Sequence, residues 1–536
     1  MESTLSRRSF LALSAAGVAT LALTGVNPVT GAKLAKADGD TTLIVKADGD
    51  PMNFNPDTVA DDNYFPVAIN IFNRLVKLDI QSNVLPDAAE SWDVSEDGLT
   101  ITFHLRGDLM WTDGEKLTAE DAAYTYTYIK ENNSCFFSSY LAAVDSIEAA
   151  DDTTVVFHMA TPDIALVTNL AWYASFIMPK HVYDVEGVEW VDNPAAQLSN
   201  PDKVVSSGAF RLASYQQGQS ISIVANETSP VQPSVSGITF SIITDPTTAV
   251  QALLNAEIDV YNGIDAANVN ELRANPDLTV VPMGKPVPLR MIFNMNNETV
   301  ANPAVRKAIA MCVDREDIAL KVGNGEAPTD YSMYPPVIEW ASNTTDVAPG
   351  LDIAAAEREL VDAGFTKDAD GYYITGLTID TFDFGGLPDM ARLIIANMKQ
   401  AGIQCDLNVM ETNAWQDKCM TRKDYSICMM GGTMGPDPSS LALRYGTGAS
   451  SNVGDWSNAD FDALVAEANA EGDTEKRAEL YKQAQAIMAQ ELPMVPVLDW
   501  VNYYGYANVF TNLPCYPTAD DGQPLGDEDY TRVRLI

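Results

Sequence analysis

The chain has 536 residues, of which 74 are acidic and 33 are Lys or Arg, so its formal net charge is −41. Hydrophobic residues make up 46% of it, which excludes a disordered chain, a collagen or a coiled coil. The length predicts more than one lobe, because single cores stop growing near about 250–300 residues. The acidic balance argues against nucleic acid and anionic lipid as partners, since both require a basic face.

The N-terminus has the features of an export signal. An apolar run over Phe10–Leu23 follows the pair Arg7-Arg8 and is too short to span a bilayer. The stretch Ser6–Leu11 resembles the twin-arginine export motif. The alternative is an ordinary Sec signal that happens to carry two arginines.

A small-x-small sequence, Ala35-Lys36-Ala37, offers a cleavage site, so residues 1–37 are predicted to be a signal peptide. No cysteine precedes Cys135, which excludes a lipoprotein anchor at that cleavage site. The mature protein is expected in the periplasm or another extracytoplasmic compartment.

Cysteine and histidine are sparse and scattered. The sequence contains six Cys and three His, with no CxxC pair and no His near a Cys at zinc spacing, so no metal site is expected. Export permits disulfides, and a local bridge among Cys405, Cys419 and Cys428 is one alternative. Buried free thiols are the other.

The first half of the chain mixes predicted strands and helices. Alternating apolar residues after the turn Ser95–Gly98 are typical of a hairpin, and Thr118 followed by two acids is typical of a helix start. In order, the predicted elements are a strand over Thr41–Ala47, a helix over Tyr64–Leu78, a hairpin over Ser91–Arg106, a helix from Thr118, hairpins turning at Asp151-Asp152 and Gln217-Gly218, and a strand over Ile238–Ile243 followed by a helix through Leu254.

The second half predicts an α/β lobe with a partly parallel sheet, because strands and helices alternate there. The predicted elements after Pro288 are strand Met291–Met295, helices Pro303–Met311, Arg315–Lys321 and Ala354–Ala363, strand Leu377–Phe384, helix Met390–Ala401, strand Gln404–Met410, helix Trp415–Thr421, strand Tyr425–Met430, helices Asp460–Asn469 and Thr474–Gln490, and strand Met494–Leu498.

The sequence shows no catalytic signature, since it contains no GxGxxG, GxxxxGK[ST], HExxH or GxSxG motif. Two glycine pairs, Gly385-Gly386 and Gly431-Gly432, each follow a predicted strand of the second lobe. Ligands bind outside the carboxyl ends of strands in open α/β sheets, so these loops are the first binding-site candidates. Simple tight turns are the alternative.

Three consecutive blocks, Leu85–Trp92, Asp97–Arg106 and Trp111–Asp121, resemble the signature region of the family 5 extracytoplasmic solute-binding proteins. These are the dipeptide, oligopeptide and nickel receptors of ABC importers. Further blocks of the same family follow in order and extend the resemblance over residues 41–510. They are Ser207–Leu212, Ala249–Asp259, Phe293-Asn294, Val305–Ala310, Asp314–Glu316, Asp437-Pro438, Trp456–Asn458, Phe461-Asp462, Arg477, Tyr481 and Pro493–Pro496.

The resemblance implies a two-lobed periplasmic-binding-protein-like α/β fold of the large class II type, with hinge-connected lobes that close on a solute. Lobe I is expected at 38–285 with an inserted subdomain at about 85–204, lobe II at 286–496, and a C-terminal return to lobe I at 497–536. It also implies a membrane permease as partner, a monomer, no cofactor and no enzymatic activity. A secreted hydrolase, or a binding protein that serves a sensor or chaperone, is the alternative.

The resemblance also places the ligand between loops of the two lobes. Met434 occupies the place of the Asp with which dipeptide receptors bind the peptide amine, and Phe382–Pro388 lacks their carboxylate-binding Arg. A longer or blocked peptide, or a less polar solute, is therefore expected rather than a free dipeptide, and a chelated metal is a further alternative. For Phe54 and Trp415, core packing is the competing interpretation. The predicted ligand-binding residues are Asn53, Phe54, Phe384, Gly385, Trp415, Gly432, Thr433 and Met434.

Overall fold

The computed structural model describes residues 41–56, 61, 63–132, 136–172, 175–185, 198–283, 287–329, 331–336, 338–432 and 434–536. The predicted signal peptide, Cys135 and Thr433 lie outside the described residues. Within them, no helix is both long and apolar enough to cross a membrane.

The first lobe is built on a seven-stranded mixed sheet. Its first strand pairs in parallel with strands on both sides, and its side chains are buried or half-buried along its whole length. The sheet order is β12-β18-β11-β1-β10-β9-β8. These strands are β1 Leu43–Ala47, β8 Phe210–Gln216, β9 Ser220–Ala225, β10 Gly237–Ile242, β11 Val260–Ile264, β12 Leu278–Pro282 and β18 Tyr503–Ala507.

The other elements of the first lobe are helices, 3-10 turns and short strands. The helices are α1 Phe65–Ile71, α2 Ala119–Asn132, α3 Leu166–Leu170, α4 Lys180–Tyr183, α5 Pro246–Leu254 and α6 Ala266–Arg273, with 3-10 turns at Phe136–Leu141 and Pro201–Lys203. The short strands are β2 Val76–Leu78, β3 Val84–Pro86, β19 Phe510–Thr511 and β20 Arg534–Leu535.

The predicted helix over Tyr64–Leu78 is wrong in its second half. Helix α1 ends at Ile71, and the backbone of Phe72 is extended. The carboxylate of Asp87 accepts hydrogen bonds from the Asn73 side chain and from the Arg74 backbone, at 2.7 and 2.9 Å. This long-range contact holds the segment in a conformation that apolar periodicity alone does not reveal.

A separate four-stranded antiparallel sheet, in the order β4-β5-β7-β6, lies within the predicted inserted subdomain. Its strands are β4 Ala89–Val94, β5 Thr100–Leu105, β6 Val144–Asp151 and β7 Thr154–Met159. The hairpin predicted over Ser91–Arg106 is confirmed, with Trp92 opposite Phe103. Gly98 takes the positive φ of +67° that the turn requires.

The second lobe contains a five-stranded sheet in the order β15-β14-β16-β13-β17, with β14 parallel to both neighbours. Its strands are β13 Val287–Phe293, β14 Ile374–Phe382, β15 Ile403–Met410, β16 Ile427–Met430 and β17 Met494–Trp500. Its helices are α7 Pro303–Ala310, α8 Arg315–Lys321, α9 Ile353–Asp362, α10 Leu387–Gln400, α11 Thr412–Trp415, α12 Ser440–Tyr445, α13 Ala459–Ala470 and α14 Thr474–Glu491. The helix predicted over Trp415–Thr421 is in fact the end of α11 followed by a π-helical turn over Gln416–Thr421.

Two segments carry the chain between the lobes, one between β12 and β13 and the other between β17 and β18. They are bonded to each other, because the Met283 N–H donates to the Asn502 carbonyl at 2.8 Å. Strand β17 stays paired with β13 as far as Trp500. The lobe boundaries at 285 and 497 stay predictions. Each lobe has its own core, as expected of lobes that move about a hinge.

Candidate ligand-binding cleft between the lobes

Loops at the strand ends of the two lobes face each other next to the crossing segments. Burial raises the pKa of Asp265 at the start of α6; the positive charge of Lys46 opposes this rise, and the negative charges of Asp383 and Asp48 add to it. Asp383 belongs to the second lobe and the other three residues to the first. The loop after β14 therefore lies opposite the ends of β1 and β11.

Phe384 and Gly385 form part of an apolar surface on the second lobe. The Phe384 side chain is 39% exposed. A Cβ on Gly431 would lie 2.6 Å from the Phe384 ring and 2.5 Å from the Leu289 side chain, so only glycine lets the ring lie against this loop. Gly385 has a φ of +52° and faces Trp500 at the hinge. The structure thus brings the two predicted glycine loops together.

The loop after β16 requires glycine as well. Gly432 has a φ of +137°, a conformation that other residues rarely adopt, and its carbonyl accepts a hydrogen bond from Arg290 at 3.2 Å. Met434 in the same loop is buried in the core of the second lobe. A contact between ligand and Gly432 or Met434 stays a prediction.

Trp415 packs inside the second lobe. Its indole Nε1 donates to the Asp380 carbonyl at 3.3 Å, and its ring centroid lies 4.7 Å from that of Phe382. Phe382 in turn stacks on Phe384 at 5.9 Å. Trp415 therefore supports the exposed Phe384 from behind, and its own contact with ligand stays a prediction.

Phe54 occupies the core of the first lobe, between the rings of Tyr64 and Tyr215 at 5.7 and 5.5 Å. The side-chain oxygen of Asn53 accepts a hydrogen bond from the Asn55 N–H at 2.7 Å, which stabilises the turn after β1. Both residues shape the loop that faces the second lobe. Their contact with ligand is not tested by this geometry and remains a prediction.

The lobes touch on one side of the cleft through Glu326 of the second lobe. Its carboxylate accepts hydrogen bonds from Arg273 at 2.7 Å and from the Tyr503 hydroxyl at 2.8 Å. The Asn324 amide donates to the Ala266 carbonyl at 3.3 Å. These contacts join the start of the second lobe to α6 and β18 of the first.

The lobes also touch on the opposite side. A Cβ on Gly435 would lie 3.8 Å from the Tyr140 hydroxyl of the first lobe. Asp163, also of the first lobe, lies close to a buried ion pair in which Arg477 donates to both Asp437 oxygens at 2.9 and 2.6 Å. Burial raises the pKa of Asp163 to about 6, and the charge of Asp437 adds to the rise. Sequence reasoning did not identify Asp163 as a residue of this interface.

The described residues do not offer a metal centre, since no group of three or more His, Cys, Asp or Glu among them is placed to hold an ion. Each histidine instead pairs with a surface carboxylate. These pairs are His104 with Asp93, His158 with Glu148 and His181 with Asp113, at 2.9, 3.1 and 2.7 Å.

Known proteins resemble this chain along most of its length. The family model described as bacterial extracellular solute-binding proteins, family 5 Middle, matches residues 83–453. The dipeptide-binding protein of Escherichia coli (strain K12) is 25% identical over 529 residues, which cover 92% of this chain and 94% of that protein. The probable deoxycholate-binding periplasmic protein YgiS of the same strain is 27% identical over 490 residues, which cover 84% and 86% respectively.

The fold has relatives among solved structures. The ABC transporter substrate binding protein CtaP of Listeria monocytogenes matches with a TM-score of 0.79 at 25% sequence identity. The match covers 92% of this chain and 99% of that chain. The two-lobed arrangement described above is thus the architecture of a substrate-binding protein.

Proposed function

Because the chain belongs to family 5 of the bacterial extracellular solute-binding proteins, we propose that it is the extracytoplasmic binding component of an ABC importer. In this role it captures a peptide or peptide-like solute between its lobes and delivers it to a membrane permease. The observation that carries the proposal is the pair of bonded crossing segments beside glycine loops that face the opposite lobe. A solute held there gains contacts with both lobes only when they close, so it shifts the protein towards the closed state.

The relatives include a dipeptide-binding protein and a probable deoxycholate-binding periplasmic protein. The choice between such solutes therefore depends on the residues of this chain's own cleft. The exposed Phe384 ring favours a solute with an apolar part, and the apolar side chains of a peptide satisfy this. The neighbouring Leu289 and Trp500 side chains are buried and support the ring from within the second lobe. We place the solute against this surface.

Export completes the proposal. Residues 1–37 act as a twin-arginine signal that is removed, no lipid is attached at the cleavage site, and the mature protein acts as a monomer. The mature net charge is more negative than −41, because the signal contains four basic residues and one acidic residue. A strongly acidic protein stays soluble and does not adhere to an anionic membrane surface.

The proposal is tested with mature protein that has been unfolded, dialysed and refolded to remove bound solute. The protein is incubated with mixtures of di- to pentapeptides, and retained peptides are identified by mass spectrometry. The proposal expects retention of intact peptides and an increase in melting temperature. Hydrolysed peptides would instead support a secreted hydrolase, and the absence of any retained peptide would contradict the peptide assignment.

A further inference from the structure

Arg290 is a buried cation whose guanidinium makes few hydrogen bonds with the rest of the protein. It lies on β13 near the crossing segment and is 3% exposed. Among the described residues, one of its five N–H donors makes a hydrogen bond, to the Gly432 carbonyl at 3.2 Å, and Nε is buried with no partner. A buried guanidinium with one hydrogen bond and no counter-charge costs considerable folding free energy, so a structural role does not explain Arg290.

Other buried arginines of the same lobe are well bonded. Arg306 donates to the carbonyls of Val300, Ala301 and Glu491. Arg315 makes three hydrogen bonds to the Pro349 and Pro496 carbonyls. Arg477 has the Asp437 carboxylate. These three buried guanidinium groups each have several hydrogen bonds or a carboxylate partner, and Arg290 differs from them in having one hydrogen bond.

The surroundings of Arg290 favour an anion. Burial lowers the pKa of Arg290, and the positive charge of Arg444 on α12 lowers it further. Within the described ranges, the buried hydroxyl of neighbouring Tyr445 has no hydrogen-bond partner. In the part of the chain that the structure describes, no carboxylate forms an ion pair with Arg290.

This cluster lies where the lobes meet. The loop that Arg290 supports continues from Gly432 to Gly435, which approaches the Tyr140 hydroxyl of the first lobe. Arg444 is close enough to Tyr140 for its positive charge to oppose the rise that burial causes in the pKa of Tyr140. The two arginines are therefore within reach of a solute that enters between the lobes.

We propose that Arg290, with Arg444 beside it, binds an anionic group of the transported solute at the Gly432 loop. The inference rests on the proposed function and narrows it: the solute has an anionic end, which in a peptide is the C-terminal carboxylate. A guanidinium presents two parallel donors that match a carboxylate, and such charge-assisted hydrogen bonds are strong in a buried site. Arg290 thereby supplies the carboxylate partner that Phe382–Pro388 lacks.

The test compares two peptide mixtures of the same sequences, one with free C-terminal carboxylates and the other with C-terminal amides. Both are titrated into solute-stripped wild-type protein and Arg290→Gln. We expect the wild type to prefer the free acids by at least about tenfold and the variant to lose that preference. Arg306→Gln is the matched control: it removes an equally buried guanidinium but is expected to keep the preference.

Equal affinity of the wild type for acids and amides, or an unchanged preference in Arg290→Gln, would overturn the inference while leaving the proposed function in place. Retention of neither mixture by the wild type would contradict the proposed peptide function. The melting temperature of the solute-stripped variants then decides the inference. The inference is supported if Arg290→Gln melts at or above the wild-type temperature and Arg306→Gln melts below it. The inference is overturned if both variants lose stability alike.

Discussion

At the scale of single residues, the cleft separates side chains that face solvent from those that support them. Phe384 is 39% exposed and rests on Gly431, whereas Trp415 is 3% exposed and bonds to the Asp380 carbonyl. Both were predicted to bind ligand on the same grounds, since each follows a strand end of the second lobe. Their different burial gives the two aromatic residues different expected roles.

Replacing Phe384 by Ala is expected to weaken peptide binding by about 1–3 kcal/mol, because an exposed aromatic contact is lost, with little change in melting temperature. Trp415→Ala is the matched aromatic control. It is expected to lower the free energy of unfolding by about 3–5 kcal/mol, because it opens a cavity in the core. Isothermal titration and urea unfolding measure the two effects. A Trp415→Ala protein of normal stability with impaired binding would instead place Trp415 in the site.

At the scale of secondary-structure elements, local patterns predicted most of the fold. The hairpin around Gly98 and the alternation from β14 to β16 follow from residue periodicity and turn chemistry, which are local properties. The end of α1 was predicted wrongly because Asp87, distant in sequence, holds Asn73 and Arg74. Arg290 was not predicted for a similar reason: its burial with a single hydrogen bond depends on the placement of β16 and α12, which periodicity does not specify.

The raised pKa of the Asp163 carboxyl leads us to expect that closure of the lobes depends on pH. Burial beside the contact between the lobes raises the pKa of Asp163 to about 6, whereas an exposed Asp releases its proton near pH 4. Closure that buries this carboxyl takes up a proton between about pH 4 and 6, so it is favoured at low pH and weakens as pH rises from 4 to 6. Peptide affinity is expected to increase by about tenfold from pH 7 to pH 5.

The Asp163→Asn variant, which cannot ionise, is expected to show a flatter pH profile of affinity than the wild type. Titrations at pH 5, 6 and 7 in the same buffer and salt concentration provide the comparison. Parallel profiles for wild type and variant would show that Asp163 is not buried by closure and that another group causes the dependence.

At the scale of the whole molecule, the type of export signal determines whether the protein folds before or after export. A twin-arginine signal carries folded protein, so the two lobes and their crossing segments would form before export. The signal lies outside the described residues, and its twin-arginine type was inferred from the resemblance of Ser6–Leu11 to that motif. The double change Arg7→Lys with Arg8→Lys keeps the charge and removes the guanidinium pair, and precursor is expected to accumulate in the cytoplasm. Immunoblotting of cell fractions measures the processing. Normal processing of this variant would instead indicate a Sec signal.

The central claim is that the lobes close on a solute, and small-angle X-ray scattering tests it most directly. Solute-stripped mature protein is measured alone and with a saturating peptide that the retention experiment has identified. Closure about the segments joining β12 to β13 and β17 to β18 brings the lobes together without changing either core, so the radius of gyration is expected to fall while the melting temperature rises. An unchanged radius of gyration with peptide bound would contradict the account.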